Sequence, residues 1–405
     1  MTQTNSTQPD TPTASRRHRG RSIIAIGAAV TLAAGAIALG AWSNTDARAA
    51  ASTALDETLQ TLVEAGYPAV LASVTDTGGD STNSAVGEGN LATGAEPPLD
   101  GEVRVGSNTK MYVATVVLQL VDEGLVVLDE PINTYLPGLV TGDGIDGSAI
   151  TVRQLLQHTS GLPEYADQIA ADAFAVQDLY VSPRDMLDVA LDKPALFAPG
   201  ERWEYSNTNY LTLGLLIERI TQRPLFEQID ERIVQPLGLH HTYLPETGER
   251  EIRGEHALGY HIDPTGELRD ITALDTSWAW SAGAIVASPS DLNRFMQALL
   301  AGDLTSDAAL AEMKTTVPSG DELWPEATYG LGLQGYPLSC GGVAWGHGGD
   351  IPGTQTRNAV GPGGTAVTVA VTALPWAITD ATDEETLLSY YQMVVDVFDQ
   401  TLCDN

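Results

Sequence analysis

Apolar residues recur at helical spacing from Ala51 to Ala65 and stop at Gly66, which predicts a helix. Alternation then takes over, and Ala69 to Val74 and the stretch around Ser84 to Val86 read as short strands. The far end of the chain mirrors this opening. Val343 to His347, Arg357 to Val360 and Thr365 to Ala373 read as strands, and Gly361-Pro362-Gly363-Gly364 turns the last two into a hairpin. A closing helix carries Leu387, Leu388, Tyr391, Val394, Val395 and Phe398 on one face, with Thr382 and Glu385 in capping-box spacing at its start. From about Ser107 to Ser277, helical patterns and Pro/Gly loops predominate. The pattern predicts a mixed α/β fold: an antiparallel sheet flanked by helices, drawn from about 50–106 and 278–405, with an all-helical lobe (about 107–277) inserted. A cleft is expected where the two lobes of this 50–405 catalytic body meet.

Residues 1–49 are set apart from this body. Arg16, Arg17, Arg19 and Arg21 precede an uncharged apolar run from Ile23 to Trp42, and Ala47-Arg48-Ala49 offers small residues for cleavage. That arrangement predicts a signal peptide and a secreted protein. A run of about 20 apolar residues also spans a bilayer, so a membrane-anchored protein facing the outside is the alternative.

Composition narrows the chemistry. A chain of 405 residues with 43% hydrophobic content can bury one enzyme-sized core. Its 53 acids against 20 bases leave a formal charge of -33, which excludes nucleic acid as a partner and disfavours adhesion to anionic lipid. Cys340 and Cys403 are the only cysteines, and in an oxidising compartment such a pair closes a disulfide. Neither lies in a Cys/His cluster, and His240-His241 has no ligand spacing, so neither a metal nor a cofactor is expected.

Lys110, Lys193 and Lys314 are the only lysines, and Lys110 lies three residues after Ser107 at the head of an apolar stretch, Met111 to Val121, that ends at Gly124. Residues i and i+3 share a helix face, so the amine stands beside the hydroxyl. Burial and the positive helix start both favour a neutral amine, which can take the serine proton. Tyr205-Ser206-Asn207 follows Phe197-Ala198-Pro199-Gly200 and precedes an apolar helical run, Tyr210 to Ile220, placing three polar side chains at a loop tip. The Tyr205 phenol can relay a proton or act as a phenolate, and Asn207 can bind a substrate amide. In Trp345-Gly346-His347-Gly348-Gly349-Asp350 the glycines let a second backbone approach a strand edge closely. A substrate can add there as a strand, with the N–H groups of Ser107 and Asp350 forming an oxyanion hole.

Ser107-Asn108-Thr109-Lys110, Tyr205-Ser206-Asn207 and His347-Gly348-Gly349 resemble, in order, the three motifs of the penicillin-recognising serine hydrolases. Arg104-Val105-Gly106, Leu155 to Leu162, and Trp278 with Ser281 to Ala284 match as supporting stretches, and the likeness runs from about Ala51 to Cys403. Because the third motif begins with histidine, the chain is most similar to the secreted serine D-alanyl-D-alanine carboxypeptidases allied to class C β-lactamases. The resemblance implies a β-lactamase/transpeptidase-like fold, a Ser107 acyl-enzyme, and Lys110 and Tyr205 as proton-transfer partners. It also implies that Asn207, His347, Gly348, Gly349, Asp350, Trp278 and Gln334 contact substrate. The partners implied are peptidoglycan-derived or other small D-amino-acid peptides and β-lactams. A related esterase, D-aminopeptidase or amidase is the alternative, followed by a β-lactamase or a non-catalytic penicillin-binding protein. Two departures stand out. Gly348 and Asp350 replace the hydroxyl residues common in carboxypeptidases, and Gln334 stands where an arginine binds the peptide carboxylate. An acidic Asp350 is therefore expected to repel a free carboxylate.

Overall fold

Alternation along the strands lets one sheet carry two cores. In a computed structural model describing residues 52–166, 172–320 and 324–405, strand β1 (Ala69–Thr75) sends Ala69 and Leu71 to one face and Val70 and Ala72 to the other. Strand β2 (Ser81–Gly87) borders β1 on one side. The remaining strands come from the C-terminal part: β3 (Val317–Pro318), β4 (Thr328–Tyr329), β5 (Gln334–Pro337), β6 (Val343–Ile351), β7 (Thr354–Val360) and β8 (Ala366–Val371). They form one antiparallel sheet in the order β2-β1-β8-β7-β6-β5-β4-β3.

Helix α1 (residues 52–64) supplies Leu55, Leu59 and Leu62 to one core. The last helix, α5 (Glu384–Asp404), supplies Val394, Val395, Val397, Phe398 and Leu402 to the same core, against Val367, Val369 and Val371. On the opposite face α4 (Pro289–Ala301) packs Leu292, Phe295 and Met296 into the larger core. That core continues into the inserted lobe through α2 (Thr109–Asp122) and α3 (Asn207–Thr221). Sheet strands covered on both faces need apolar residues at consecutive positions, which is why β1 and β8 are buried nearly end to end.

The structure revises several details. The insert is not all-helical: Thr141–Gly142 pairs with Ile145–Asp146, and Tyr260–Ile262 with Leu268–Asp270, each ribbon closed by a turn holding a left-handed glycine, Gly144 or Gly266. Helix α5 is capped by Asp383, whose carboxylate accepts from the Thr386 amide, while the Thr382 hydroxyl is spent on Asp380. Leu388, expected on the apolar face, is exposed. Strand β6 does not end at His347 but runs through the glycines to Ile351. Cys340 and Cys403 form a disulfide joining the β5–β6 turn to the end of α5. The leader expected over residues 1–49 lies outside the described residues. Among the described residues no helix is long and apolar enough to cross a membrane.

Candidate active site

Ser107 sits in a one-turn 3-10 helix, Gly106–Asn108, that leads directly into α2. Gly106 has φ 54°, and a Cβ on it would lie 2.8 Å from the Asp350 nitrogen. A Cβ on Gly349 would lie 2.0 Å from the Val105 carbonyl oxygen. Both glycines are required by the approach of the nucleophile's own turn to β6, a closer constraint than the substrate approach inferred from sequence. Asn108 holds the contact, donating from Nδ2 to Val105 O (2.8 Å) and to Thr356 Oγ1 (2.6 Å). The Ser107 and Asp350 amides are thereby brought to one place. Strand β5 pairs with β6 only from Val343 to Gly346, so His347 to Ile351 have no strand beside them on that edge, and the Gly348 N–H there is held by the Gln334 side chain.

Lys110, the second residue of α2, is fully buried. Burial pushes its amine from the usual 10.5 down to about 7, against the pull of the Glu164 carboxylate, which raises it. Its Nζ reaches Asn207 Oδ1 (2.7 Å), Ala282 O (2.7 Å) and Ser107 Oγ (3.0 Å). Valence then fixes the roles. The amide and carbonyl oxygens can only accept, so the two protons of a neutral amine go to them and its lone pair is left facing the Ser107 hydroxyl.

Tyr205 lies just before α3, its hydroxyl hydrogen-bonded to Ser107 and its ring centroid 4.8 Å from Lys110 Nζ. Burial pushes this phenol well above its ordinary range, so it is held as a proton donor rather than a phenolate. Asn207 opens α3, and its backbone N–H donates to Glu164 Oε2 at 2.6 Å.

His347 is buried, and dehydration, with the Lys110 charge adding to it, lowers its pKa to about 3. Its Nε2 is 2.9 Å from Tyr329 Oη, which is 3.1 Å from His158 Nε2. His158 Nδ1 accepts from the Ser206 amide (3.2 Å) and faces Asn209 Nδ2 (3.0 Å). That acceptor role puts the His158 proton on Nε2, directed at Tyr329, whose own proton then points to His347 Nε2. His347 Nδ1–H in turn donates to Gly348 O. Neutral imidazoles satisfy every bond in this series. His158 holds φ 60°, a costly backbone for a non-glycine residue and a sign of how tightly the position is constrained.

One cavity of about 320 Å³ is lined by Ser107, Tyr205, Asn207, His347, Gln334 and Arg357, among others. A second, of about 740 Å³, is lined by Trp278, His261, Ile351, Pro352 and Trp376, and shares Asn207 and Asp350 with the first. All the residues singled out from sequence therefore border one of two adjoining spaces, or in the case of Lys110 the serine itself. Gln334 Oε1 accepts from the Gly348 amide (3.3 Å) and from the Tyr336 hydroxyl.

Asp350, read from the sequence as an uncompensated acid, has a cationic partner. Arg357 Nη1 lies 2.9 Å from Asp350 Oδ1, and the Tyr391 hydroxyl is bonded to the same carboxylate. Arg357, Glu164, His158 and Tyr329 were given no role from sequence. A basic residue in the otherwise apolar or small-polar stretch Thr354–Val360 was the available signal for the first. Glu164 and His158 lie in or beside a stretch noted only for its likeness, and Tyr329 had no sequence signal. Among the described residues no group of three or more His, Cys, Asp or Glu side chains is placed to hold a metal.

A family model described as Beta-lactamase matches residues 55–391. The chain is similar to a D-stereospecific amidohydrolase of known structure from Streptomyces sp., with 36% identity and a TM-score of 0.74 over 84% of this chain and 97% of that one. It is 29% identical over 65% of its length to a protein of Bacillus subtilis (strain 168) provisionally named penicillin-binding protein PbpX, covering 60% of it. It is 29% identical over 56% of its length to a provisionally named D-alanyl-D-alanine carboxypeptidase of Escherichia coli (strain K12), covering 57% of it. The chain thus spans about three fifths of the length of these two curated relatives.

Proposed function

Because this chain belongs to the beta-lactamase family, we propose that it is an exported serine hydrolase that cleaves D-amino-acid amides and peptides through a Ser107 acyl-enzyme and is acylated by penicillins. The observation that carries this reading is the approach of the fully buried Lys110 Nζ to Ser107 Oγ at 3.0 Å. Lys110 takes the hydroxyl proton as Oγ attacks the carbonyl carbon, and the N–H groups of Ser107 and Asp350 hold the developing oxyanion. The proton returns through the Tyr205 hydroxyl to the leaving nitrogen, the C–N bond breaks, and the acyl group stays on Ser107. Water then attacks the ester with the same base, releasing the acid and restoring the serine. Asn207 Nδ2 and the edge of β6 orient the acyl part. The His158–Tyr329–His347 series presents no charge, so it shapes the cavity wall without competing for the proton.

The names of the similar proteins, a D-stereospecific amidohydrolase and a D-alanyl-D-alanine carboxypeptidase, support this substrate class. Labelling by a fluorescent penicillin, together with hydrolysis of D- against L-amino-acid amides, tests it. The parent should label covalently and prefer the D-enantiomer, and Ser107→Ala should do neither. Equal labelling of the Ser107→Ala protein would refute the assignment.

A further inference from the structure

If Ser107 acts as proposed, the two adjoining cavities hold different parts of the substrate, and which part each holds depends on that reading. The leaving nitrogen must receive a proton from Tyr205. Tyr205 lines the smaller cavity and is not among the residues bordering the larger one. The leaving group therefore occupies the smaller space, and the acyl residue extends past Asn207 and Asp350 toward Trp278 and Ile351.

Among the described residues, the leaving-group space is lined by one cation, Arg357, and one anion, Asp350, and these are paired with each other. The pairing is built into the sheet. Arg357 stands opposite Gly348 in the β6–β7 register, so it shares a face with Asp350 two residues along and is within diagonal reach. Gly348 has no Cβ; one placed there would lie 3.1 Å from Arg357 Nη1, so the glycine leaves the guanidinium room to lie flat against β6. Arg357 Nη1 also donates to Thr356 O at 2.8 Å, and the arginine is only 8% exposed, so it is fixed in this position.

We propose that Asp350 occupies the place of a substrate carboxylate: it holds the guanidinium that would otherwise clamp the free C-terminus of a peptide leaving group. The protein then takes uncharged leaving groups, such as ammonia, amines and carboxamide-ended residues, in preference to a free amino acid. A carboxylate entering this space meets a cation that is already neutralised and an anion beside it.

The test is kcat/KM for a matched pair, D-alanyl-D-alanine against D-alanyl-D-alaninamide, each with a free and an acetylated amino terminus. In the parent the carboxamide should be favoured at least tenfold, a measurement that needs no variant. Asp350→Asn should release Arg357 and shift the acid-to-amide ratio toward the free acid by at least tenfold. Adding Arg357→Gln should remove that gain. Equal rates in the parent, a preference for the free acid, or a ratio unmoved by Asp350→Asn would each overturn the proposal while leaving the Ser107 assignment standing. Hydrolysis of neither substrate together with no penicillin labelling would overturn that assignment, and this proposal with it.

Discussion

A single ionisation should govern the acidic limb of the pH profile, and it belongs to Lys110. The amine must be neutral to take the Ser107 proton, and burial places its midpoint at about 7. Two units below a midpoint only about 1% of a base is unprotonated, so kcat/KM at pH 5 should fall about a hundredfold below its plateau. The imidazoles and the phenol at the site lie away from this limb. Burial, with Lys110 adding to it, lowers His347 to about 3, so that imidazole stays neutral from pH 5 upward, and burial likewise holds His158 well below its ordinary value. The Tyr205 phenol is pushed up and stays protonated.

The direction of a second shift follows from charge. Glu164 is the carboxylate that raises the Lys110 pKa, so Glu164→Gln should move the limb to lower pH. Lys110→Arg substitutes a group that never becomes neutral, and should cost about 10²- to 10⁴-fold in acylation and abolish the limb. The assay is kcat/KM for an uncharged ester between pH 5 and 9, so that the substrate contributes no ionisation. A profile flat from pH 5 to 8, or a limb that survives Lys110→Arg, would show that another group is the base.

The same shift has a consequence for folding. Lys110 goes from 10.5 unfolded to about 7 folded, so between those values only the unfolded chain binds the proton and stability rises with pH. Parent minus Lys110→Met should show this as a slope of about 1.4 kcal/mol per pH unit from pH 7 to 10 in denaturant unfolding, and parallel curves would contradict it. Gly349→Ala should preserve the fold by circular dichroism yet lower acylation by about a hundredfold, because its Cβ, 2.0 Å from Val105 O, forces β6 away from the nucleophile turn; parental labelling kinetics would rule this out. Cys340→Ser should cost about 4 kcal/mol by the loop-closure argument, given a separation of 63 residues, and an unchanged urea midpoint would show that contacts such as Ser339 to Asp399 already fix the end of α5.

What could be read from the sequence divides along the line between local and register-dependent contacts. Ser107 and Lys110 are three residues apart on one turn, so helical spacing alone predicts their meeting and apolar neighbours predict the burial that neutralises the amine. The strands β1 and β8, drawn from the two ends of the chain, were legible too, since each is a short apolar run bounded by turn residues. The pieces that escaped depend on pairings between distant segments. Tyr329 belongs to a strand of two residues, Thr328–Tyr329, too short to show any period, yet it joins His158 to His347. Asp350 read alone is an acid in a strongly acidic chain, a charge set against any anionic substrate. Its meaning changes only when β6 and β7 are set in register, with Arg357 opposite Gly348. A slip of one residue would send the guanidinium to the other face of the sheet and leave the carboxylate uncompensated. Hydrophobic patterning gives little notice of that register here, because β7 is buried at every position and both of its faces read alike. The charge a substrate meets at this site is therefore set by strand pairing, and the net charge of the chain carries no information about it.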